Sequence, residues 1–143
     1  MYGKARVGNG VLGLAHSLGI DVRSVDDADA GFRASDYTAI IPTPGVNPTN
    51  RAYEAGNILS ELDFAYRYLP SGFTIIAVTG TDGKSTTAWI IYELLRKEYC
   101  KDQVFLSGNF EIPFSETVLD IRKRGLTTGY IVLEVSSFMA YGI

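Results

Sequence analysis

The chain has 143 residues, 46% of them apolar and 20% charged, which fits one domain or two small ones and excludes a disordered or fibrous chain. Lys and Arg number 13 against 16 Asp and Glu, so the net charge is −3 and nothing points to a nucleic-acid binder, which needs a basic surface. The single cysteine, Cys100, cannot form an internal disulfide, no apolar run approaches the ~20 residues of a membrane span, and the N-terminus lacks the apolar core of a signal peptide, so a soluble cytoplasmic protein is expected.

Residues 4–7 read as a first strand running into Gly8-Asn9-Gly10, and a helical pattern follows from Val11 to about Leu18, stopped by Gly19. Residues 21–25 alternate and predict a second strand ending in Asp26-Asp27. Residues 37–41 are apolar and partly β-branched, a buried third strand that Pro42-Thr43-Pro44-Gly45 ends abruptly. One or two helical turns are predicted over 50–55 and a short strand over 57–59. A helix follows over 60–69, N-capped by Ser60, with Leu62, Ala65, Tyr66 and Leu69 on one face.

Pro70-Ser71-Gly72 is the best linker, dividing the chain into domains 1–70 and 71–143. Beyond it, a strand is predicted over 74–79, then a glycine loop and a long helix over 84–99 with Ala88, Ile91, Leu94 and Leu95 facing inward. A strand over 103–106, a helix over 115–123 and a strand over 130–135 complete the series. Strand and helix alternate throughout, which predicts an α/β fold with parallel sheet and helices outside. The last strand carries one acidic residue, Glu134, near its end. The chain stops just after that strand, so a fragment is expected and not a finished catalytic domain.

Thr79-Gly80-Thr81-Asp82-Gly83-Lys84-Ser85-Thr86 carries the strongest chemical signal. It lies after an apolar strand and at the start of a helix, where glycines let successive backbone N–H groups turn inward and cradle phosphate oxygens. Lys84 would reach the outer phosphates and the Ser85 hydroxyl would ligate Mg²⁺. The general pattern G-x-x-x-x-G-K-[ST] is not met in full, since Val78 stands where its first glycine belongs and Gly80 supplies a second glycine instead.

This loop resembles the phosphate loop of the Mur ligases and folylpolyglutamate synthetases, G-[TS]-N-G-K-[TS]-[TS], with Asp82 in place of Asn. Gly108-Asn109-Phe110-Glu111-Ile112-Pro113 resembles the Mur ligase segment G-N-I-G-x-P, with Glu111 in place of a glycine. Leu133-Glu134-Val135-Ser136-Ser137-Phe138 resembles L-E-x-S-S-F. Thr43-Pro44-Gly45-Val46-Asn47-Pro48 and the run around Ser60-Glu61 are similar to segments of the branch that adds D-glutamate to UDP-N-acetylmuramoyl-L-alanine. Gly8-Asn9-Gly10-Val11-Leu12-Gly13 fits G-x-G-x-x-G and points to a Rossmann-like first domain, in which Asp26 is placed to contact a ribose or base.

The resemblance implies a small Rossmann-like N-terminal domain that holds the uridine nucleotide, followed by the first part of a P-loop parallel-sheet ATPase domain. It implies an ATP-dependent amide ligase of peptidoglycan precursor synthesis, with ATP and Mg²⁺ as cofactors and UDP-N-acetylmuramoyl-L-alanine and D-glutamate as substrates. Phosphate binding falls to Gly80, Thr81, Asp82, Gly83, Lys84, Ser85 and Thr86, catalysis to Lys84 and Glu134, and the metal to Ser85 and Glu134. Thr43, Gly45, Asn109 and Ser136 are the implied substrate contacts. Further family residues, including a metal-binding His, a modified lysine and the groups holding adenine and D-glutamate, would lie beyond this chain, so the chain alone is expected not to complete the reaction. Two other readings stand beside this one: a nucleotide-binding module without ligase activity, and a different P-loop enzyme such as a small kinase. His16, Cys100 and Trp89 read as packing or surface residues.

Overall fold

The computed structural model describes residues 1–2, 6–47, 49–54, 56–108 and 112–136. Among these the main elements, in chain order, are α1 (Arg6–Ser17), α2 (Glu61–Tyr66), β1 (Gly72–Val78), α3 (Lys84–Glu98), β2 (Val104–Gly108), α4 (Phe114–Lys123) and β3 (Thr128–Glu134). No helix among the described residues is long and apolar enough to cross a membrane.

The three strands form a parallel sheet in the order β1-β3-β2. Val78, Glu134 and Gly108 are in register, so all three strands end together at one edge. Side chains alternate between faces along each strand. Phe73, Ile75, Phe105, Ile131 and Leu133 pack with Phe114, Val118 and Ile121 of α4. The intervening residues Tyr130, Val132 and Glu134 therefore face the other way. There the ring of Tyr99, the C-cap of α3, lies 4.4 Å from that of Tyr130, which puts α3 on this second face. Covered on both sides, β3 is buried from Ile131 to Glu134.

The expected order of elements in this half holds, with one correction to the face of α3. Ala88 is fully buried, but Leu94, expected inward, is 56% exposed. Six residues on from Ala88 is about 240° around a helix, whereas Ile91 and Leu95 return to within about 60° of the Ala88 direction.

The N-terminal half is built on single-residue parallel bridges. Tyr2 pairs with Val25 on one side and Pro42 on the other, and Ile40 pairs with Ile58. The backbone bonds Tyr2 N–H to Ile41 O (2.9 Å), Thr43 N–H to Tyr2 O (2.9 Å), Val25 N–H to Met1 O (3.0 Å) and Ile40 N–H to Asn57 O (3.0 Å) complete this minimal ladder. The predicted strands at 21–25, 37–41 and 57–59 thus exist only as these contacts.

The strand expected over 4–7 is corrected: Arg6 and Val7 open α1, Tyr2 is the residue that pairs, and Lys4 and Ala5 lie outside the described residues. The G-x-G-x-x-G glycines are corrected with it, because Gly8, Gly10 and Gly13 all lie within α1 and form no loop. Gly10 and Gly13 serve close packing. A Cβ on Gly10 would sit 2.6 Å from Ser115 Oγ and 3.3 Å from Pro113 Cβ, and one on Gly13 would sit 3.1 Å from Leu119 Cδ2. Without side chains there, α1 lies close against α4.

Ser60 caps α2 as expected, accepting from the Asp63 N–H at 3.0 Å. The helix buries Glu61, Phe64 and Ala65, and Tyr66, expected on the inner face, is 63% exposed. The residues predicted as helical turns at 50–55 form a 3₁₀ turn, Arg51–Tyr53. Met1, Val11, Leu14 and Ala15 join Phe64, Ala65, Phe114, Val118 and Ile131 in one apolar cluster, so the two halves share a core.

Candidate phosphate and metal site

Residues 79–83 leave β1 and curl exposed into α3. Gly83 has φ 73°, a left-handed backbone that side chains disfavour, and it is also the N-cap of α3. Its carbonyl accepts from the Thr87 N–H at 2.9 Å. Having no side chain, it leaves the first N–H groups of α3 facing the loop, where the helix dipole adds partial positive charge. Lys84 Nζ donates to Thr81 O at 3.2 Å, which holds the ammonium over the loop. Ser85 and Thr86 follow in the exposed first turn. Backbone donors, helix N-terminus and a cation converge as an anion site requires.

Glu134 lies beside the root of this loop. It is in register with Val78, the last residue of β1, and the Val135 N–H continues the pairing to Val78 O at 2.9 Å. It is 1% exposed and on the α3 face. Because α3 runs from Lys84 at the C-terminal edge of the sheet to Tyr99 beside Tyr130, its N-terminus and Glu134 share one edge. Ser136 follows, half-buried. Among the described residues no group of three or more His, Cys, Asp or Glu could hold a metal ion. The donors that share this edge are instead a hydroxyl and a carboxylate. An all-oxygen pair suits Mg²⁺, which takes one or two protein oxygens and completes its shell with phosphates and water.

Asn109 lies outside the described residues. Its flanks are tied together: Gly108 N–H donates to Ile112 O at 2.8 Å and Ser107 Oγ to the same oxygen at 3.2 Å. Thr43 and Gly45 belong to the other half of the molecule. They form a tight turn closed by Val46 N–H to Thr43 O at 3.1 Å, with Pro44 at its second position and Gly45 at φ 98° at its third. Thr43 is buried and bonded to Tyr2.

Sequence reasoning missed two features. The first is Arg51, whose Nη2 donates to the carbonyls of Asp26 (3.2 Å), Asp27 (3.3 Å) and Asp29 (2.9 Å) while its guanidinium lies 5.3 Å from the Phe32 ring centroid. It fixes the Asp26 turn. Asp27 accepts from Tyr2 Oη (2.7 Å) and Asn50 Nδ2 (2.9 Å), bonds that hold its carboxyl below the usual range. Nothing in the sequence pairs an arginine with carbonyls 22–25 residues away.

The second is the burial of Glu61, which stands in the sequence only as part of the helix-opening Ser60-Glu61 run that resembles the family and not as a partner of a second helix. Glu61 is 6% exposed, its Oε1 accepts from the Ser115 N–H at 2.5 Å, and its Oε2 is buried with no hydrogen-bond partner among the described residues. Burial pushes its carboxyl above the ordinary value of 4.5, and the bond from the Ser115 N–H only partly offsets this. The folded chain thus holds the proton more tightly than the unfolded chain. Stability from this group falls as pH rises from 4.5 through the raised folded value, and is flat above it. Glu61→Gln keeps an acceptor without the charge, so urea unfolding from about pH 4 to 8 should show that this decline is lost in the variant.

Residues 78–141 match the family model described as the Mur ligase middle domain. The chain is similar to the UDP-N-acetylmuramoylalanine–D-glutamate ligase of Aquifex aeolicus, 35% identical over 147 aligned positions that cover 96% of this chain and 33% of that protein. The protein of the same name from Oleidesulfovibrio alaskensis is 36% identical over 140 positions, 94% of this chain and 30% of the relative. That from Elusimicrobium minutum is 41% identical over 86 positions, 57% and 18%. The chain spans about a third of the length of the first of these relatives. No solved structure gives a significant match.

Proposed function

Because this chain belongs to the Mur ligase family, we propose that it carries the nucleotide-binding part of an ATP-dependent ligase that joins D-glutamate to UDP-N-acetylmuramoyl-L-alanine in the cytoplasm. The names of its relatives support the substrates. The observation that carries the reading is the strand–glycine loop–helix unit with a buried carboxylate in register at its root.

In this reading residues 71–143 hold ATP and residues 1–70 hold the uridine nucleotide, with Thr43, Gly45, Asn109 and Ser136 as substrate contacts. The γ-phosphoryl group passes from ATP to the alanine carboxylate, giving an acyl phosphate and ADP. The amine of D-glutamate attacks the acyl carbon, loses a proton and expels inorganic phosphate, leaving the amide. The loop N–H groups and Thr81, Asp82 and Thr86 line the phosphates. Lys84 offsets negative charge on the transferring group, where such stabilisation lowers the barrier most. Ser85 and Glu134 would hold Mg²⁺, which when bound screens the phosphate charge. Glu134 would otherwise repel the incoming phosphates.

Glu134→Gln removes that charge and keeps the shape. Calorimetry with ATP should then show loss of the Mg²⁺-dependent gain in affinity, with metal-free binding unchanged. An unaltered Mg²⁺ dependence would remove Glu134 from the metal site.

A further inference from the structure

A carboxylate that is nine-tenths buried and used by no step above crosses from one half of the molecule to the other. The N-cap of α4 is Pro113, which makes no side-chain cap bond. One orphan N–H of that helix, Ser115, is satisfied from α2 by Glu61 Oε1. Glu61 is itself the first residue of α2, so its charge lies at the positive ends of two helices. From α4 the contacts lead to the sheet edge. Thr117 Oγ1 donates to Ser107 Oγ at 2.8 Å, and both groups are buried. Ser107 and Gly108 both bond Ile112 O, which closes the chain back onto the end of β2. Gly108 lies in register with Glu134 and so close to it that an added Cβ would meet Glu134 O at 2.2 Å.

We propose that Glu61 is a positioning residue: by capping α4 from the N-terminal half, it sets the end of β2 and through it the backbone of Glu134. The effect of Glu61 reaches the metal site through α4, Ser107 and Gly108. The functional consequence rests on the reading of Glu134 as a metal ligand; the structural one does not.

The test measures two things on the 143-residue chain: hydrogen exchange at the Ser115 and Gly108 amides, and the Mg²⁺ concentration that half-saturates the metal-dependent part of ATP binding. In Glu61→Ala, Ser115 should exchange about tenfold faster, as expected for losing a hydrogen bond to a charged group. Gly108 exchange should rise with it. The Mg²⁺ requirement should rise about tenfold, the scale seen when groups behind a metal ligand are removed, with metal-free ATP affinity unchanged. Glu61→Gln, which retains an acceptor, should restore both readouts. Glu61→Asp, one methylene short, should fall with Ala and serves if Ala does not fold.

Unchanged Ser115 exchange in Ala and Asp overturns the proposal. So does an equal loss of metal-free and metal-dependent binding, the mark of general loosening. If the wild-type chain binds no ATP at all, the proposed function fails instead, and coupled exchange at Ser115 and Gly108 still decides whether Glu61 sets the end of β2.

Discussion

Lys84→Ala is expected to weaken Mg·ATP binding roughly ten- to a hundredfold, the range for removing a charged hydrogen-bond donor of about 1.5–3 kcal/mol. Lys84 is the loop's only cation, and its Nζ already lies over the loop at 3.2 Å from Thr81 O. Backbone N–H groups and the α3 dipole remain in the variant, so binding should be reduced and not abolished. The bond to Thr81 is exposed and short-range, so thermal stability should hardly change. Calorimetry on the two proteins checks this. Equal affinities would show that the glycine loop is only a strand-to-helix turn.

Gly108→Ala should cost about 3–5 kcal/mol, among the largest effects of a single substitution. Two penalties combine. The φ of 97° is one that L side chains rarely adopt, and an added Cβ would stand 2.2 Å from Glu134 O, 3.0 Å from Leu133 Cδ1 and 3.1 Å from Glu134 C. The first obstacle is backbone of the central strand, which cannot rotate away. For a chain of this size the melting temperature should drop by ~10 °C or more, read by circular dichroism. Gly19→Ala provides the comparison: its φ is 69° but nothing lies within 4 Å of the added Cβ, so only about 1–2 kcal/mol of backbone strain is expected. If the two variants melt together, the close approach of β2 and β3 at Glu134 is not what constrains Gly108.

Much of the C-terminal half could be read from local pattern. An apolar β-branched run, two glycines, a Lys-Ser-Thr and a helical stretch are each short-range signals, and each formed where expected between Gly72 and Glu98. Glu134 was legible too, because a lone acid inside an apolar strand is conspicuous in sequence. The N-terminal half was misread where composition and pattern disagreed. Gly8, Gly10 and Gly13 fitted G-x-G-x-x-G and pointed to a Rossmann-like domain, but glycine spacing alone does not separate a loop from a helix that must lie close to a neighbour.

By itself, then, the sequence determined the alternation of strand and helix, the glycine loop between strand and helix and the acid at the end of the last strand, since these depend on periodicity and on residues adjacent in the chain. Only the tertiary structure decided what depends on distant partners. It put Glu134 on the α3 face, through a register of Val78 with Glu134 across 56 residues, 134 − 78. It made α1 a packing helix by setting Gly10 against Ser115 and Pro113. It brought Arg51 to the carbonyls of the Asp26 turn and buried Glu61 at the start of α4. A buried charge or a helix without its own cap is tolerable only when a partner supplies the missing bond. That partner is chosen by the packing of α1, α2 and α4, which no local window of the sequence contains.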